Sequence, residues 1–470
     1  MARINTNVSS LVAQRVLRTN QNNQNLSLER LSTGLKINKG SDNPAGLIAS
    51  ENLRTEKAGI TQAIDNAGRA SNIIGTAEGG LNEVSSLLTE LQSLIGQAAN
   101  SGGLSSEELS ANQLQVDSIL GSINRIAGAT AFQGKKLLNG NLGYTSSGTG
   151  TSAFDSIQVN AARLPAGNTV SVVIQVTNSA TTGQVTATGS GLGGTAVTLR
   201  IAGTQGTEQL SFAASTSFAS IATAVNSLKE VTGVSAVASG GDIYFNSTGF
   251  GANEFVSVNS ISGSFTVSGG TSGKDFGSNA AVTVNGAAAE TTGKKVTFRT
   301  SSLDVEFDLS NSLNAGASKT FGITGGGADF ALGSKVTEGA KASLGINAVG
   351  SESLGDNTLG FLSSLASGGT NSLSSGNLAQ AQRILDKSVK QVSELRGRLG
   401  AFQKFTLGST INSLGVAFEN ASAAESAIRD TDFAEETAKL TRSQILSQAA
   451  STVLSQANSS PQLALQLLRG

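Results

Sequence analysis

The clearest pattern along the chain is an apolar seam whose positions advance by alternating steps of three and four residues. From Ile60 it continues through Ala63, Ala67, Ala70, Ile74, Ala77, Leu81, Val84, Leu88, Leu91, Ile95 and Ala98. A period near 3.5 residues predicts a long helix that packs in a coiled-coil-like bundle. Gly79 and Gly80 interrupt the pattern, and we expect them to soften the helix there.

A second helix is predicted after the turn "NSGGLSSEE", with Ser105 or Ser106 as its N-cap. Gln113 is the one polar residue on its apolar face, which otherwise consists of Leu109, Val116, Leu120, Ile123 and Ala127. The C-terminal region has a matching seam of Leu407, Ile411, Leu414, Phe418, Ala421, Glu425 and Ile428, with Glu425 as its polar exception. Matching seams in distant segments predict that the two ends of the chain pack side by side.

The last 28 residues have a thinner seam, formed by Leu446, Ala450, Val453 and Ala457. Each buried methylene contributes only about 0.8 kcal/mol, so alanine positions add little within one molecule. We therefore expect the seams of residues 53–98 and 407–428 to close within one chain. For residues 4–35 and 443–468, we expect the missing contacts to come from other copies of the chain.

The middle of the chain has a different sequence pattern. Apolar and polar residues alternate as in β-strands, and Gly-, Ser- and Thr-rich turns separate these segments. Strands are predicted at 170–176, 197–201 and 303–309, and one amphipathic helix at 218–228. "VSAVASGGDIYFN" predicts a hairpin that turns at Gly240 and Gly241. Asp304, Glu306 and Asp308 share one strand face, which is more typical of a solvated face than of a cation site.

The composition argues against most enzyme classes. The chain has no His and no Cys, which excludes Ser-His-Asp triads, Cys-His pairs and His- or Cys-ligated zinc sites. Chemistry based only on carboxylates or on lysine stays open, but an enzyme is strongly disfavoured, and we predict no catalytic residue, no cofactor and no metal. The 32 basic and 33 acidic residues balance, so electrostatic binding to nucleic acid is not predicted. The first twenty residues lack the apolar core of a cleaved signal peptide, and no apolar run predicts membrane insertion.

Several motifs near both ends closely resemble those of the bacterial flagellin family. They are "MARINTNVSSLVAQ", "LERLSTGLKINKGSDNPAGLIASENL" and "FQGKKLLNG" near the N-terminus, and "LGAFQ", "SAIRDTDFAEETAKLTRSQILSQA" and "VLSQANSSPQLALQLLR" near the C-terminus. The resemblance covers residues 1 to about 140 and about 375 to 470. It implies an α+β multidomain fold, with a long helical bundle formed by both chain ends and a β-rich central insertion on the outside.

The resemblance also implies three domains. Residues 1–42 and 432–470 would form a terminal helical domain in the filament core, 43–145 and 370–431 a coiled-coil bundle, and 146–369 an outer region of one or two subdomains.

As a function, the resemblance implies a structural subunit that is exported unfolded and self-assembles into the flagellar filament for swimming. The expected location is the extracellular flagellum. Its partners would be further copies of itself, flagellar cap and hook-associated proteins and an export chaperone. Two alternatives stay open, a hook–filament junction protein and a flagellin-type surface adhesin.

The predicted self-assembly residues are Ile4, Val8, Leu11, Val16, Leu28, Leu31, Leu35, Leu446, Ala450, Val453, Leu454, Ala457, Leu463 and Leu467. Asp42, Asn43 and Pro44 have turn chemistry, and the resemblance makes this turn a spoke between inner and outer tubes. An innate-receptor patch of the family would include Leu94. This chain has Glu90 where the family has Arg, and Gln115 near the family's Glu, so we expect weak or absent receptor activation.

Overall fold

A computed structural model describes residues 6–100, 103–148, 153–165, 169–189, 191–311 and 313–469, except the side chains of 460–469. The chain divides into two compact units, which are described separately. The first contains residues 1–69, 331–340 and 407–470, and the second contains 70–330 and 341–406.

Long helices occur near both ends of the chain. They are α1 (Val8–Thr33), α2 (Pro44–Ala98), α3 (Ser106–Ala129), α4 (Phe218–Ser227), α5 (Lys229–Thr232), α6 (Leu378–Ala401), α7 (Ser409–Arg429) and α8 (Phe433–Arg469). A π-helical segment, Phe402–Gly408, joins α6 to α7. Short 3₁₀ turns cover Glu338–Ala340, Leu362–Leu365 and Leu373–Ser375.

The strands lie between Ala131 and Phe361. They are β1 (Ala131–Phe132), β2 (Lys135–Lys136), β3 (Tyr144–Ser147), β4 (Phe154–Ala162), β5 (Val170–Asn178), β6 (Gln184–Ala187), β7 (Val197–Gly203), β8 (Thr207–Phe212), β9 (Val234–Ser239), β10 (Asp242–Ser247), β11 (Phe255–Ser262), β12 (Lys274–Phe276), β13 (Ala281–Val284), β14 (Ala287–Ala288), β15 (Glu290–Thr292), β16 (Lys295–Arg299), β17 (Leu303–Leu309), β18 (Ser318–Gly326), β19 (Ala328–Ala331), β20 (Lys341–Leu344), β21 (Gly355–Asp356) and β22 (Gly360–Phe361).

Two apolar cores organise the strands of the second unit. In one, the antiparallel sheets β14-β13-β5-β18-β3 and β15-β16-β17-β4 bury a shared cluster that includes Ile174, Phe307 and Phe321. In the other, the sheets β6-β10-β9 and β12-β11-β7-β8 enclose a cluster with helix α4, in which Ile221 and Phe245 are fully buried. Along the longer strands such as β5, β7 and β17, buried residues alternate with more exposed ones, so one face of each of these strands lies in its core.

The structure confirms the predicted fold class and the predicted elements. Every seam position from Ile60 to Ala98 is buried, because all of them lie on one face of α2. The predicted strands correspond to β5, β7 and β17, the internal helix to α4, and the hairpin to β9 and β10. Ser105 is the N-cap of α3 and forms a reciprocal capping box with Glu108.

Helix α2 continues through Gly79 and Gly80 without a break. The expected softening of the helix at these residues stays a prediction. The two glycines have different surroundings. A Cβ atom on Gly80 would lie 2.7 Å from Thr130 Oγ1 and 2.9 Å from Leu138 Cδ1, whereas one on Gly79 would meet nothing within 4 Å. Gly80 therefore permits close packing on α2, while Gly79 lies on an exposed face.

This difference predicts opposite effects of the same substitution. Gly80→Ala should lower the free energy of unfolding by about 1–3 kcal/mol, because Thr130 Oγ1 is held by its 2.8 Å hydrogen bond to the Ile126 carbonyl. Gly79→Ala should raise it by up to about 1 kcal/mol through helix propensity. Denaturant unfolding of both variants measures the contrast. Equal shifts in the same direction would contradict this role for Gly80.

Candidate self-assembly surface

Helices α1 and α8 form an antiparallel hairpin in the first unit. At its base Lys36 N donates to the Arg429 carbonyl at 2.7 Å, and Thr431 N donates to the Gly34 carbonyl at 2.9 Å. Gly34 ends α1 in the left-handed conformation, with φ of 73°, which glycine adopts without strain. The pairing confirms that the two chain ends pack side by side.

The hairpin is closed by small and polar side chains, most of which recur at intervals of seven residues. On α1 the buried residues are Ser10, Ala13, Asn20 and Ser27. On α8, Glu436, Ser443 and Ala450 are buried and Ala457 is half-buried. A repeat of one small contact per two helical turns lets the helices approach closely but removes little apolar surface from water.

Side-chain hydrogen bonds connect the two helices along this seam. Asn7 Nδ2 donates to the Ala457 carbonyl at 2.7 Å, and Ser10 Oγ donates to Asn458 Oδ1 at 2.7 Å. Near the base, Ser27 Oγ donates to Glu436 Oε1 at 2.6 Å. The hairpin is therefore specified by polar contacts to an unusual degree.

Glu436 is the one ionisable side chain buried in this seam among the described residues, with 4% of its surface exposed. Its carboxylate also lies 3.7 Å from Arg30 Nη1 on α1 and 3.6 Å from Lys439 Nζ on its own helix. A buried carboxylate is tolerated only when hydrogen bonds and opposite charges compensate for its lost hydration. Ser27, Arg30 and Lys439 provide that compensation.

The larger apolar side chains of the hairpin lie outside its seam and remain in contact with solvent. Val8, Leu11, Val16, Leu446 and Val453 each expose between 43% and 58% of their surface. A groove of about 480 Å³ runs along this side of the hairpin. It is lined by Val8, Ser9, Val12, Ala13, Val16, Asn20, Leu446, Ala449, Ala450 and Val453. Exposed apolar surface of this extent is typical of an interaction site.

The structure therefore divides the predicted assembly residues into different environments. Val8, Leu11, Val16, Leu28, Leu446 and Val453 are exposed, Leu31, Leu35, Leu454 and Ala457 are half-buried, and Ala450 is buried within the hairpin. Ile4 and the side chains of Leu463 and Leu467 lie outside the described residues.

The sequence prediction did not include the polar residues of the seam. It also omitted five of the residues that line the groove, namely Ser9, Val12, Ala13, Asn20 and Ala449. The seven-residue spacing of Glu436, Ser443, Ala450 and Ala457 was the signal that could have revealed the seam.

Asp42, Asn43 and Pro44 form a hydrogen-bonded turn before α2. Asp42 Oδ2 accepts from the backbone N–H groups of Asn38 and Lys39 at 3.0 and 2.9 Å, and these bonds hold the pKa of the Asp42 carboxyl below its ordinary value. Asn43 Oδ1 caps the helix by accepting from Gly46 N at 2.9 Å, and Pro44 is the first helical residue. The predicted turn chemistry is confirmed.

The residues of the predicted receptor patch do not share one environment. Glu90 on α2 and Gln115 on α3 are exposed. Leu94 belongs to the apolar side of α2 and is only 4% exposed. In this part of the described chain, the two polar residues are therefore accessible from solvent and Leu94 is not.

The acidic face of β17 differs from a solvated strand face. Ser156 donates to Asp308 at 2.8 Å, Asn160 donates to Asp304 at 3.2 Å, and Lys295 pairs with Glu306. The side chains of Asp304, Glu306 and Asp308 are half-buried. The three carboxylates thus form hydrogen bonds or an ion pair with neighbouring side chains. The expectation of a solvated strand face was wrong.

In the part of the chain that the structure describes, no helix is both long and apolar enough to cross a membrane.

Comparison with known proteins matches both helical regions to one family. Residues 4–142 match the bacterial flagellin N-terminal helical region, and residues 382–468 match the bacterial flagellin C-terminal helical region. The chain is 30% identical to the B-type flagellin of Pseudomonas aeruginosa over 520 residues, and 29% identical to flagellin D of Vibrio anguillarum over 468 residues. Both alignments cover 99% of this chain and 99% of the relative.

Among solved structures, FliC from Burkholderia pseudomallei is 19% identical to this chain. The alignment covers 71% of this chain and 99% of the FliC chain, with a TM-score of 0.24. This TM-score is too low to support the family assignment.

The relatives are named flagellins, and this chain aligns with them over 99% of their length. This favours a filament subunit over a hook–filament junction protein or a surface adhesin. The chain belongs to the bacterial flagellin family and is a structural subunit of the flagellar filament, not an enzyme.

Proposed function

We propose that the exposed apolar groove between α1 and α8 is the surface through which this flagellin polymerises. The observation that carries the proposal is the separation of side chains on the hairpin. Small and polar residues close the hairpin, whereas Val8, Val16, Leu446 and Val453 face solvent. Covering one such side chain completely contributes about 1.5–3 kcal/mol, so several of them supply a strong drive for association with other copies.

The remaining predicted assembly residues extend this surface. Leu11 and Leu28 are exposed on α1, and Leu31, Leu35, Leu454 and Ala457 are half-buried beside them. Ile4, Leu463 and Leu467 stay in the proposal as residues predicted from the sequence. Ala450 has a different role, since its small side chain permits the close approach of α1 and α8.

Val453→Asp tests the proposal. It would place a charge in the interface, so we expect the critical concentration for polymerisation to rise at least 100-fold. Gln448→Asp is the matched control, because Gln448 is exposed on α8 outside the groove and the substitution adds the same charge. Sedimentation and electron microscopy of seeded reactions give the readout. Equal polymerisation of the Val453→Asp variant and the wild type would rule out the groove.

We further propose that the subunit is exported unfolded and that the hairpin folds fully only in the filament. The thin seam supports this, because two helices joined by small side chains are marginal in water. Amides of residues 443–459 should exchange rapidly in the monomer and become protected in filaments. Hydrogen exchange with mass spectrometry measures both states. Strong protection in the monomer would refute coupled folding, but it would leave the groove proposal standing.

The export route, the partners and the domain boundaries are also proposals. The subunit would reach the outside of the cell through the flagellar export apparatus, with a chaperone before export and cap and hook-associated proteins during assembly. Domains at 1–42 and 432–470, 43–145 and 370–431, and 146–369 remain our division, with the turn at Asp42–Pro44 as the spoke. Exposed Glu90 and Gln115 support the prediction of weak or absent innate-receptor activation.

A further inference from the structure

The two apolar cores of the second unit are connected by a short neck of two chain segments. Strand β5 of the first core ends at Asn178, and the chain returns to this core at Ala281, the first residue of β13, which pairs with β5. Residues 182–277, which we call the inserted domain, build the second core between these points. We call the two sheets around the first core the sandwich. The freedom of the inserted domain to move relative to the sandwich therefore depends on the neck.

The neck has a composition that is typical of a flexible linker. Its segments "NSATTG" (178–183) and "FGSNA" (276–280) consist mainly of glycine and small polar residues. Domains joined in this way usually move relative to each other unless a large apolar interface holds them together. The composition therefore predicts a flexible hinge, and the hydrogen bonds of the neck contradict this expectation.

Thr181 and Ser278 hold the two segments of the neck side by side. Thr181 N donates to the Ser278 carbonyl at 3.0 Å, and Ser278 N donates to the Thr181 carbonyl at 3.2 Å. Their hydroxyl oxygens lie 2.9 Å apart, within hydrogen-bonding distance. These bonds join the segments to each other, so by themselves they would still allow the neck to bend.

The side chain of Asn279 connects the inserted domain to the sandwich across the neck. Its Oδ1 accepts from Ala252 N at 3.0 Å, in the loop that precedes β11 of the inserted domain. The same atom accepts from Gly293 N at 2.9 Å, in the turn between β15 and β16 of the sandwich. An amide oxygen has two lone pairs, so both bonds can form at the same time. Bending at the neck would break at least one of them.

The backbones of the two parts also approach closely beside Asn279. A Cβ atom on Gly251 would lie 2.8 Å from Gly293 Cα, and the Gly251 φ of 122° is one that glycine adopts without strain. Lys294 Nζ of the sandwich lies 5.0 Å from the ring centroid of Phe250 in the inserted domain. The close packing around the Asn279 amide leaves little room for bending.

A contact outside the neck also joins the inserted domain to the rest of the second unit. Glu230 in α5 forms an ion pair with Arg383 in α6. The two side chains are 51% and 42% exposed, and exposed ion pairs contribute little. The main restraint on the inserted domain therefore lies at the neck.

We propose that the neck is a rigid joint locked by Asn279, which fixes the direction of the inserted domain relative to the sandwich. Because the lock consists of a few polar contacts, one substitution should release it. The residues of the neck belong neither to α1 nor to α8. The proposal is therefore independent of the assembly groove, and the unassembled full-length protein is sufficient to test it.

Distances between two spin labels, measured by pulsed electron paramagnetic resonance, test the joint. The chain has no Cys, so Val237→Cys in the inserted domain and Lys319→Cys in the sandwich introduce two unique and exposed labelling sites. Lys319→Cys combined with Ala287→Cys places both labels in the sandwich and gives the width for a rigid pair. Gly-Gly-Ser inserted after Ala180 and after Ser278 gives the width for a freely moving domain.

The distance distribution across the neck should be narrow in the wild-type background, within about 1.5-fold of the rigid pair, because a locked joint has one main conformation. Asn279→Ala should widen it at least about twofold, since both bonds of the amide are lost. Gly251→Ala is an independent second variant and should shift the mean distance, because the added Cβ pushes Gly293 away.

Two matched controls should keep the width of the wild type. Asn253→Ala makes the same replacement at an exposed position of the loop that contains Ala252. Arg383→Gln removes the exposed ion pair with Glu230. Circular dichroism of Asn279→Ala should match the wild type, because Asn279 is exposed.

Several results would overturn the rigid joint. A wild-type distribution as wide as that of the Gly-Gly-Ser variant would show a flexible hinge. An unchanged width in Asn279→Ala, or an equal widening in either control, would show that Asn279 is not the lock. A lost circular dichroism spectrum in Asn279→Ala would show that the residue supports the fold rather than the direction of the domain.

Discussion

Glu436→Ala should raise the critical concentration for filament assembly about 100-fold. The substitution removes the carboxylate that Ser27, Arg30 and Lys439 surround, and leaves the guanidinium of Arg30 without its partner across the helices. Arg30 Nε is already buried without a hydrogen bond, so the side chain has little other compensation. Breaking a buried pair from one side costs about 3–5 kcal/mol, and each 1.4 kcal/mol changes an equilibrium tenfold.

The neighbouring Glu435 provides a matched control. Its side chain is 66% exposed and pairs with Lys439 at 2.8 Å. Exposed pairs contribute about 0–1 kcal/mol, so Glu435→Ala should assemble within a few-fold of the wild type. Sedimentation of filaments over a range of subunit concentrations gives both values. The importance of the buried carboxylate would be disproved if the two variants assembled equally well.

Gln113→Leu should lower the free energy of unfolding of the second unit by about 3 kcal/mol. Gln113 is 6% exposed, and its amide joins α3 to the segment that precedes α6. Its Nε2 donates to the Leu365 carbonyl at 2.9 Å, and its Oε1 accepts from Leu373 N at 2.8 Å. Leucine has similar bulk but leaves both backbone groups buried without partners, at about 1–3 kcal/mol each.

Gln115→Leu is the control, because it makes the same Gln-to-Leu replacement at an exposed position of the same helix. It should shift the unfolding midpoint very little, since surface substitutions usually stay within about 0.5 kcal/mol. Circular dichroism during chemical denaturation measures both variants. A midpoint for Gln113→Leu that matches the control would show that the two backbone groups find other partners.

Much of the fold could be predicted from the sequence because its signals are local. The seam from Ile60 to Ala98 repeats often enough to define a buried face, and Gly240–Gly241 between strand patterns defines a hairpin. The role of Gly80 was not predictable, since nothing in the local pattern shows that Thr130 and Leu138 pack against it. In the sequence, Gln113 is a polar exception on an apolar helix face. Its structural role depends on hydrogen bonds to Leu365 and Leu373, which are distant in the sequence.

The candidate assembly surface was predicted in part. Apolar spacing drew attention to Leu446 and Val453, but it placed them on the same seam as Ala450. The structure separates them because polar side chains, which a hydrophobic pattern ignores, close the hairpin. Glu436 and Ser27 are 409 positions apart, so their hydrogen bond has no local sequence signal.

The seven-residue seam between α1 and α8 also determines how the hairpin can move. A slip by one heptad would again bring small residues opposite small residues, so packing alone resists it weakly. The bonds of Asn7, Ser10 and Ser27 form in a single register, and a slip would break all three. Three hydrogen bonds of about 0.5–1.5 kcal/mol each therefore favour one register of the two helices over its neighbours. A change in subunit length that keeps these bonds intact has to take place outside the hairpin.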